Sequence, residues 1–281
     1  FTSSIKAVEE NIYALTKQKA EKELFKLRDC NSNPIFIYRL PNIFGKWSKP
    51  NYNSVVATFC HNIAHDLPIN IHDPNSIIEL LYIDDLVNEF ALIVNGRRNN
   101  SKDFQLVPKT YKISVKELSE IIINFKSSRE TLITKAVGKG LIRKLYSTYL
   151  SYLPKNKFSY PLKVNSDLRG TFVEILKTED SGQFSYFTAY PGVTRGGHYH
   201  NTKNEKFLVV QGQAVFKFKN IITNEFFQLE TNASQPIIVE SIPGWAHEVK
   251  AIGDENLIVL LWANEIFDKR NPDTYVSKIN T

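Results

Sequence analysis

The pattern of apolar residues changes near residue 150, and this change constrains the fold more than any other feature of the chain. Beyond Pro154 the sequence consists of short runs in which apolar and polar residues alternate, such as TFVEILK, QAVFKFK and NLIVLLWAN, separated by Gly, Pro, Asn and Asp. A period of two places successive side chains on opposite faces of a strand. At least seven such runs with regular turn signals predict an antiparallel sandwich or barrel.

Before this point the sequence indicates alternating helices and strands. Leu15, Leu24 and Leu27 recur at roughly helical spacing among the charged residues of 11–28. The short apolar runs PIFIYRLPNIFG and IIELLYI predict buried strands, the second of which stops at Asp84 and Asp85. Between them, NSVVATFCHNIAHDL has the pattern of a second helix.

Capping and turn signals complete the division of the chain. Ser114 and Glu117 have the spacing of a capping box, which predicts that a helix begins after Ser114. The segment LSYLPKNKFSYP contains the change from the mixed pattern to the alternating one. We therefore predict an α/β domain over residues 1–154 and an all-β domain over residues 155–281.

Composition excludes several classes of protein. The net charge of +6 equals the charge of one short run, 135–157, which has six basic residues and no acidic ones. We interpret this run as a solvated helix face and expect no nucleic-acid partner. No apolar stretch reaches the about 18–20 residues that span a bilayer, so we expect no membrane insertion. Two cysteines cannot form a disulfide framework, which favours a reducing compartment.

Two histidine motifs carry the strongest chemical signal of the second domain. His198 and His200 lie two residues apart, so both can point to the same face of a strand. Glu205 begins the next alternating run, and His247 follows a PG turn far along the chain. Imidazoles with a carboxylate suit Zn, Fe, Mn or Ni, so we predict that these four residues bind a metal. That they only decorate a sheet is the less favoured alternative, since all three histidines of the domain lie on the pattern.

This arrangement resembles the cupin family. The chain matches both cupin motifs, G-x5-H-x-H-x4-E-x6-G from Gly192 to Gly212 and then P-G-x-x-H ending at His247. The resemblance covers about residues 158–281 and implies a small double-stranded β-helix barrel with a metal inside. It does not name a reaction, because cupins include oxygenases, isomerases and storage proteins.

A finer resemblance is to the nucleotide-sugar 3,5-epimerases. The segments DLRGTFVE and TRGGHY are similar to their D-x-R-G-x-F-x-E and R-G-x-H-Y motifs. The resemblance implies that His198 is the base that removes a proton next to a C4 ketone. It also implies that Arg169 and Arg195 bind the nucleotide diphosphate and that Lys206 supports the enolate oxygen. Such a proton is weakly acidic, so the reaction needs both a base and a cation.

The chain differs from these epimerases in two respects. His200, Glu205 and His247 complete a metal set that those enzymes lack. The segment Trp262–Phe267, where their proton-donating tyrosine falls, contains no tyrosine. The identity of the metal and of the acid therefore stays open, and His198 can be a base, a ligand or both.

A second group of candidate residues lies near the start of the chain. Tyr13 and Lys17 have the Y-x-x-x-K spacing, which places both on one face of a helix. A cation beside a phenol makes it a stronger acid and lets it act as an acid or base on a carbonyl. Ser4, the segment RLPNIFG and the segment YIDD stand in the order found in the extended short-chain dehydrogenase/reductase family, which the chain resembles here.

That resemblance implies a role for each residue. Ser4, Tyr13 and Lys17 would be catalytic, Tyr13 and Lys17 with Pro41 and Asn42 would contact the cofactor NADPH, and Asn42 would also contact the substrate. The Gly-rich phosphate loop of the family is absent from the sequence. We therefore expect the C-terminal part of a Rossmann-type domain without its Gly-rich half, followed by a cupin barrel, and we expect these 281 residues to bind NADPH weakly and to have lost reductase activity.

Together the two halves resemble the CapF/WbjC family of bifunctional capsular-polysaccharide enzymes, with RLPNIFGKWSKPNYNSVVATFC, LYSTYLSYLP and HNTKNEKFLVV among the similar stretches. This resemblance implies that the cupin inverts C3 of a UDP-4-keto-6-deoxy-N-acetylhexosamine. The other domain would then reduce C4 with NADPH to give UDP-N-acetyl-6-deoxy-L-talosamine, a precursor of UDP-N-acetyl-L-fucosamine. It further implies a homodimer in the bacterial cytoplasm with Zn²⁺ in the cupin. Two alternatives are a metal-dependent cupin oxygenase and a metal cupin that binds UDP-sugar without catalysis.

Overall fold

The protein divides into two compact units. A computed structural model describes residues 1–30, 34–97, 103–107 and 109–279. Unit 1 comprises Phe1–Lys126 and Ala136–Phe158, and unit 2 comprises Ser127–Lys135 and Ser159–Thr281. Among the described residues, no helix combines the length and the apolar character that crossing a bilayer requires.

The boundary between the units differs from the predicted 154/155 for two reasons. Lys157 donates to the carbonyl oxygen of Ala64 and pairs with Asp66, so the chain stays with unit 1 for four further residues. The segment 127–135 belongs to unit 2 because its backbone bonds to that of Lys177, which donates to Leu132 O at 2.8 Å and accepts from the amide of Thr134 at 2.8 Å. Neither contact could be read from local sequence.

Unit 1 is an α/β structure, as the sequence predicted. Its strands β1–β5 span Thr2–Ser4, Tyr38–Leu40, Asn42–Phe44, Ile77–Tyr82 and Thr110–Ser114. The helices α1–α5 span Ile12–Cys30, Val55–Ala64, Ile83–Val94, Val115–Thr131 and Gly140–Leu150, and the end of α4 from Ser127 onward is assigned to unit 2. Strands β1 and β2 pair in parallel, while β3 pairs in parallel and β5 antiparallel with the central strand β4.

Local signals account for most of the helix starts in unit 1. The capping box is confirmed, because Ser114 Oγ accepts from the amide of Glu117 and the Glu117 carboxylate accepts from the amide of Ser114, both at 3.1 Å. Helix α4 then buries Leu118 and Ile122 on its core face. Helix α3 was not predicted. Its first turn contains the acidic pair interpreted as the end of a strand, and carboxylates there stabilise the positive end of a helix dipole.

Unit 2 is an antiparallel β structure, as predicted. Strands β6–β11 span Val164–Asp167, Gly170–Thr178, Gly182–Ala189, Thr194–Tyr199, Glu205–Gln211 and Gln213–Asn220. Strands β12–β16 span Phe226–Asn232, Val239–Glu240, Trp245–Ala251, Leu257–Ala263 and Tyr275–Val276. They form a six-stranded sheet in the order β13-β10-β15-β8-β7-β6 and a five-stranded sheet in the order β12-β11-β14-β9-β16.

The two sheets are separate in their hydrogen bonding, so the expected barrel is a two-sheet jelly roll rather than one closed cylinder. Alternate residues of both sheets fill its core, including Phe187, Phe207, Phe216, Leu257 and Val259. The strands that carry the candidate metal ligands belong to both sheets: β9 and β14 to the five-stranded one and β10 to the six-stranded one. The ligands therefore converge from both sheets.

Candidate functional site

The four predicted metal ligands meet in unit 2. His198 lies near the end of β9, His200 directly follows that strand, Glu205 begins β10, and His247 lies on β14. One donor atom from each residue lies within 4.8 Å of the corresponding atoms of the other three. His200, Glu205 and His247 are buried, while His198 is half-buried and lines a cavity.

A glycine brings the two histidine-bearing strands together. Gly196 has a φ of +99°, and a Cβ on it would lie 2.8 Å from the carbonyl oxygen of His247. The carbonyl oxygen of His247 therefore leaves no room for a side chain at residue 196. Strand β9 can therefore lie close against β14 only with glycine here, and the register then puts His198 directly opposite His247.

The hydrogen bonds of His200 leave a place for a cation. His200 Nδ1 lies 2.5 Å from the carbonyl oxygen of Asp273, which can only accept, so Nδ1 carries the proton. In the neutral ring, Nε2 then presents a lone pair to Glu205 Oε2 at 3.1 Å. Two acceptors at this distance need a cation between them, and a metal ion would meet that need.

His247 supports the same conclusion. Its Nε2 lies 3.2 Å from the same Glu205 oxygen, yet neither ring nitrogen makes a hydrogen bond among the described residues. Buried polar atoms normally find partners. An unsatisfied imidazole beside a buried carboxylate fits a set of nitrogen and oxygen donors, which is suitable for Zn²⁺.

The electrostatics keep these groups in the forms that bind metal. Burial raises the pKa of the Glu205 carboxyl, but its contacts with His200 and His247 and the charge of Lys203 outweigh that effect and hold the pKa well below its usual range. Burial, with the neighbouring His247, lowers the pKa of His198 to about 4. Glu205 is therefore ionised and His198 neutral at pH 7.

A cavity of 370 Å³ opens onto the ligands. Apolar side chains such as Phe172, Phe187 and Leu261 form part of its wall, and Arg169, Arg195 and Lys203 are its basic residues. The predicted substrate-binding arginines thus line the same cavity as His198.

The two arginines are held differently. Arg169 binds Asp167 through Nε at 3.1 Å and Nη2 at 2.6 Å and remains more than half exposed. Arg195 donates to the carbonyl oxygen of Thr188 at 3.1 Å and lies over the ring of Phe187. Burial and then the charge of Arg169 lower the pKa of Arg195. Two nearby guanidinium groups in one cavity favour an anionic ligand such as a diphosphate.

The structure does not place Lys206 at the site. Its ammonium pairs with Glu240, and its side chain is half exposed on the side of β10 opposite to Glu205 and Phe207. The buried cation of the cavity is instead Lys203, whose Nζ lies 3.5 Å from Glu205 Oε1 and donates to Thr274 Oγ1 at 3.3 Å. The role expected of Lys206 is therefore corrected: the structure offers Lys203 for it.

No tyrosine is among the described residues that line this cavity. Glu265 and Phe267 contribute to its wall from the segment where the tyrosine of the 3,5-epimerases would fall. Glu265 was not singled out from the sequence, because no motif contains it.

In unit 1, Ser4, Tyr13, Lys17, Pro41 and Asn42 all line a second cavity, of 600 Å³. The sequence-predicted residues are thus brought together by β1, α1 and the β2–β3 corner.

The contacts of these residues are consistent with an open site. Lys17 Nζ lies 5.8 Å from the centre of the Tyr13 ring and donates to the carbonyl oxygen of Thr2 at 3.1 Å. Tyr13 is 53% exposed, so its hydroxyl is accessible. Ser4 Oγ accepts from the amide of Lys6, and Asn42 donates to the carbonyl oxygen of Glu79, both at 3.1 Å.

Comparison with known proteins defines the class first. Residues 2–112 match the NAD dependent epimerase/dehydratase family, and residues 165–275 match the polysaccharide biosynthesis C-terminal domain. The chain is thus a two-unit enzyme of polysaccharide biosynthesis whose first unit belongs to a family that uses NAD(P)H.

Individual relatives then identify the family. The chain is 54% identical over 279 residues to a UDP-2-acetamido-2,6-beta-L-arabino-hexul-4-ose reductase of Pseudomonas aeruginosa, a match that covers 99% of this chain and 75% of the relative. It superposes with a TM-score of 0.94 and 39% identity on the crystal structure of the capsular polysaccharide assembling protein CapF of Staphylococcus aureus, covering 99% of this chain and 76% of that one. A probable low-salt glycan biosynthesis epimerase of Haloferax volcanii is 30% identical over 127 residues, 40% of this chain and 80% of the relative. The chain belongs to the CapF/WbjC family of bifunctional capsular-polysaccharide enzymes.

Proposed function

We propose that unit 2 inverts C3 of a UDP-linked 4-keto-6-deoxy-N-acetylhexosamine and that unit 1 carries the catalytic residues for reduction of the C4 ketone with NADPH. The product would be UDP-N-acetyl-6-deoxy-L-talosamine, on the route to UDP-N-acetyl-L-fucosamine. The Pseudomonas aeruginosa relative, named as a reductase of a UDP-linked hexul-4-ose, supports this substrate class.

One observation carries the proposal for unit 2. A single cavity contains a neutral imidazole, a buried ammonium and two guanidinium groups, contributed by His198, Lys203, Arg169 and Arg195. These are a base, a group that stabilises an oxyanion, and a binding site for a diphosphate. A 4-keto sugar bound through its diphosphate needs all three for removal of the C3 proton.

The reaction then follows from ordinary enolate chemistry. His198 accepts the C3 proton, and the electron pair of the C3–H bond forms the C3–C4 double bond while the ketone oxygen becomes an enolate. The Lys203 ammonium stabilises the charge on that oxygen. A proton returned to the opposite face of C3 regenerates the ketone with the inverted configuration, so no atom or electron is gained or lost.

We propose that Zn²⁺ is held by His200, Glu205 and His247, with His198 adjacent. The unsatisfied ring nitrogens of His247 and the opposed acceptors of His200 and Glu205 support this assignment. When bound, the metal would supply Lewis acidity near the enolate and would stabilise the fold, because metal binding is coupled to folding.

For unit 1, we propose that Tyr13 donates the proton to the C4 oxygen as NADPH supplies the hydride. Lys17 keeps a positive charge beside the phenol, and the Ser4 hydroxyl binds the carbonyl oxygen. Pro41 and Asn42 would border the nicotinamide, with Asn42 also near the substrate. The convergence of all five residues on one cavity supports these roles. We further propose a cytoplasmic homodimer, as the family resemblance implies; sedimentation at micromolar concentration would test the dimer.

The test is proton exchange at C3, followed by NMR in D₂O with the UDP-4-keto sugar and no NADPH. His198→Asn should abolish exchange with its metal content unchanged, and Lys203→Met should slow it by about 10²–10³. Lys206→Met is the matched control. Lys206 lies three residues after Lys203 in the chain, but its ammonium pairs with Glu240 outside the cavity. Exchange that persists in His198→Asn would make this histidine a ligand or a bystander. Equal effects of the two lysine variants would remove Lys203 from the mechanism.

A further inference from the structure

A short C-terminal segment contacts the site from outside the main strands. Strand β16, Tyr275–Val276, pairs with the end of β9, so that Val276 lies opposite His198. The preceding residue pair, Asp273 and Thr274, therefore lies next to the turn that connects β9 to β10. No motif of the sequence includes either residue.

The Asp273 carboxylate accepts hydrogen bonds from four donor groups of this turn. The amides of Asn201, Thr202 and Lys203 donate to it at 3.0, 2.6 and 2.8 Å, and the hydroxyl of Thr202 donates at 3.0 Å. Three consecutive amides that point at one carboxylate fix the backbone of the turn. The turn carries Lys203 and separates His200 from Glu205, so its conformation sets where all three side chains lie.

The backbone of the same residue contacts a candidate metal ligand. The carbonyl oxygen of Asp273 accepts from His200 Nδ1 at 2.5 Å, which leaves Nε2 as the atom that faces Glu205. Beside it, Thr274 Oγ1 accepts from Lys203 Nζ at 3.3 Å and lies 3.4 Å from His200 Nδ1. The two residues thus contact both His200 and Lys203, and of the two only Thr274 is among the described residues that line the cavity.

We propose that Asp273 is a positioning residue of the cupin site: its carboxylate fixes the 201–203 turn, and its carbonyl, fixed in the same way, orients His200 for metal binding. The inference rests on the proposed function of unit 2 and adds to it a residue that contacts neither sugar nor metal. Groups that orient histidine ligands commonly change metal affinity or activity by about 10–100-fold when they are altered.

The informative variant is Asp273→Asn in the full chain. It preserves the size of the side chain but replaces one acceptor oxygen with an NH₂ group, which opposes the amide donors of the turn. Asp268→Asn is the matched control, because Asp268 lies in the same segment, is exposed, and its carboxylate accepts from the amide of Arg270 at 2.9 Å rather than from the 201–203 turn. Thr202→Val removes one of the four hydrogen bonds and leaves Asp273 in place.

Two readouts report on positioning independently of catalysis. One is Zn²⁺ affinity, measured by competition with a chromophoric chelator, and the other is the visible spectrum of the Co²⁺-loaded protein. Asp273→Asn should weaken Zn²⁺ binding by about 10–100-fold and shift the Co²⁺ bands. It should lower kcat for C3 exchange with little change in KM, because Arg169 and Arg195 are untouched. Thr202→Val should weaken Zn²⁺ binding less, by about 2–10-fold, and Asp268→Asn should match the wild type.

The outcomes for these three variants decide whether Asp273 positions the site. Wild-type affinity, spectrum and kcat in Asp273→Asn would overturn the proposal, as would an equal loss in Asp268→Asn. If Asp273→Asn does not fold, an unchanged Zn²⁺ affinity and Co²⁺ spectrum in Thr202→Val overturn it. A wild-type protein that binds Zn²⁺ but exchanges no C3 proton would contradict the proposed function instead, and the Zn²⁺ affinities would still decide the role of Asp273.

Discussion

Replacing Gly196 with Ala tests how the metal ligands are brought together. The added Cβ would lie 2.8 Å from the carbonyl oxygen of His247 and 2.9 Å from Glu248 Cα, closer than real Cβ atoms approach backbone. Both neighbours are backbone atoms, so the contact is relieved only if β9 moves away from β14. The residue also has a φ of +99°, which L-residues rarely adopt.

The neighbouring Gly197 separates these two effects. Its φ is +79°, but a Cβ there would meet no atom within 4 Å. Gly197→Ala should therefore cost only the backbone strain, about 1–2 kcal/mol. Gly196→Ala should cost that strain and a further about 1–3 kcal/mol for overpacking. For a unit of this size, the difference corresponds to a melting temperature lower by about 3–15 °C.

The assay is thermal unfolding of the chelator-treated proteins, followed by circular dichroism, with Zn²⁺ affinity measured separately. Gly196→Ala should melt below Gly197→Ala and bind Zn²⁺ more weakly, since β9, which leads directly into His200, is moved away from β14, which carries His247. Equal melting temperatures and equal affinities for the two variants would refute the claim that close approach of β9 and β14 assembles the site.

Three further predictions address the metal, the pH dependence and the reductase. His247→Ala should remove most of the bound Zn²⁺ and lower thermal stability, as elemental analysis and calorimetry would show; retention of stoichiometric metal would exclude His247 as a ligand. Because the pKa of His198 is lowered to about 4, the unfolded chain binds a proton that the folded chain does not between pH 6.5 and 4. The free energy of unfolding of the metal-free protein should therefore fall as pH decreases through this window, by up to about 3 kcal/mol. Urea titrations should show a flatter dependence for His198→Asn, and identical slopes would contradict the lowered pKa. At saturating NADPH, the residual rate of 4-keto sugar reduction should fall by about 10² or more in Tyr13→Phe but not in Tyr52→Phe, whose side chain lines the same cavity; equal effects would exclude Tyr13 as the acid.

The candidate metal ligands could be proposed from the sequence because each lies on or directly beside a strand, where side chains alternate with a period of two. His198 and His200 share a face by strand alternation, and the first residue of β10 points the same way as Phe207. The same alternation explains the error over Lys206: a residue between two inward-facing neighbours points outward.

Other features could not be found from local patterns. Asp273 is separated by 70–73 residues from the turn and the histidine that it contacts, and it lies in a segment with no periodicity. Lys203 lies in a turn, where sequence does not specify the direction of a side chain. The boundary between the units likewise depends on backbone bonds between residues 132–134 and Lys177, more than 40 positions apart.

The most direct measurement of the central claim is the position of deuterium in a UDP-4-keto-6-deoxy-N-acetylhexosamine incubated with the wild-type, zinc-loaded protein in D₂O. The account predicts deuterium at C3 and a C3-inverted sugar in the mixture, because His198 and Lys203 supply the base and the oxyanion-stabilising cation that removal of this proton needs. Recovery of the sugar without deuterium at C3, from a protein that binds both zinc and the sugar, would contradict the account and would leave unit 2 as a binding domain.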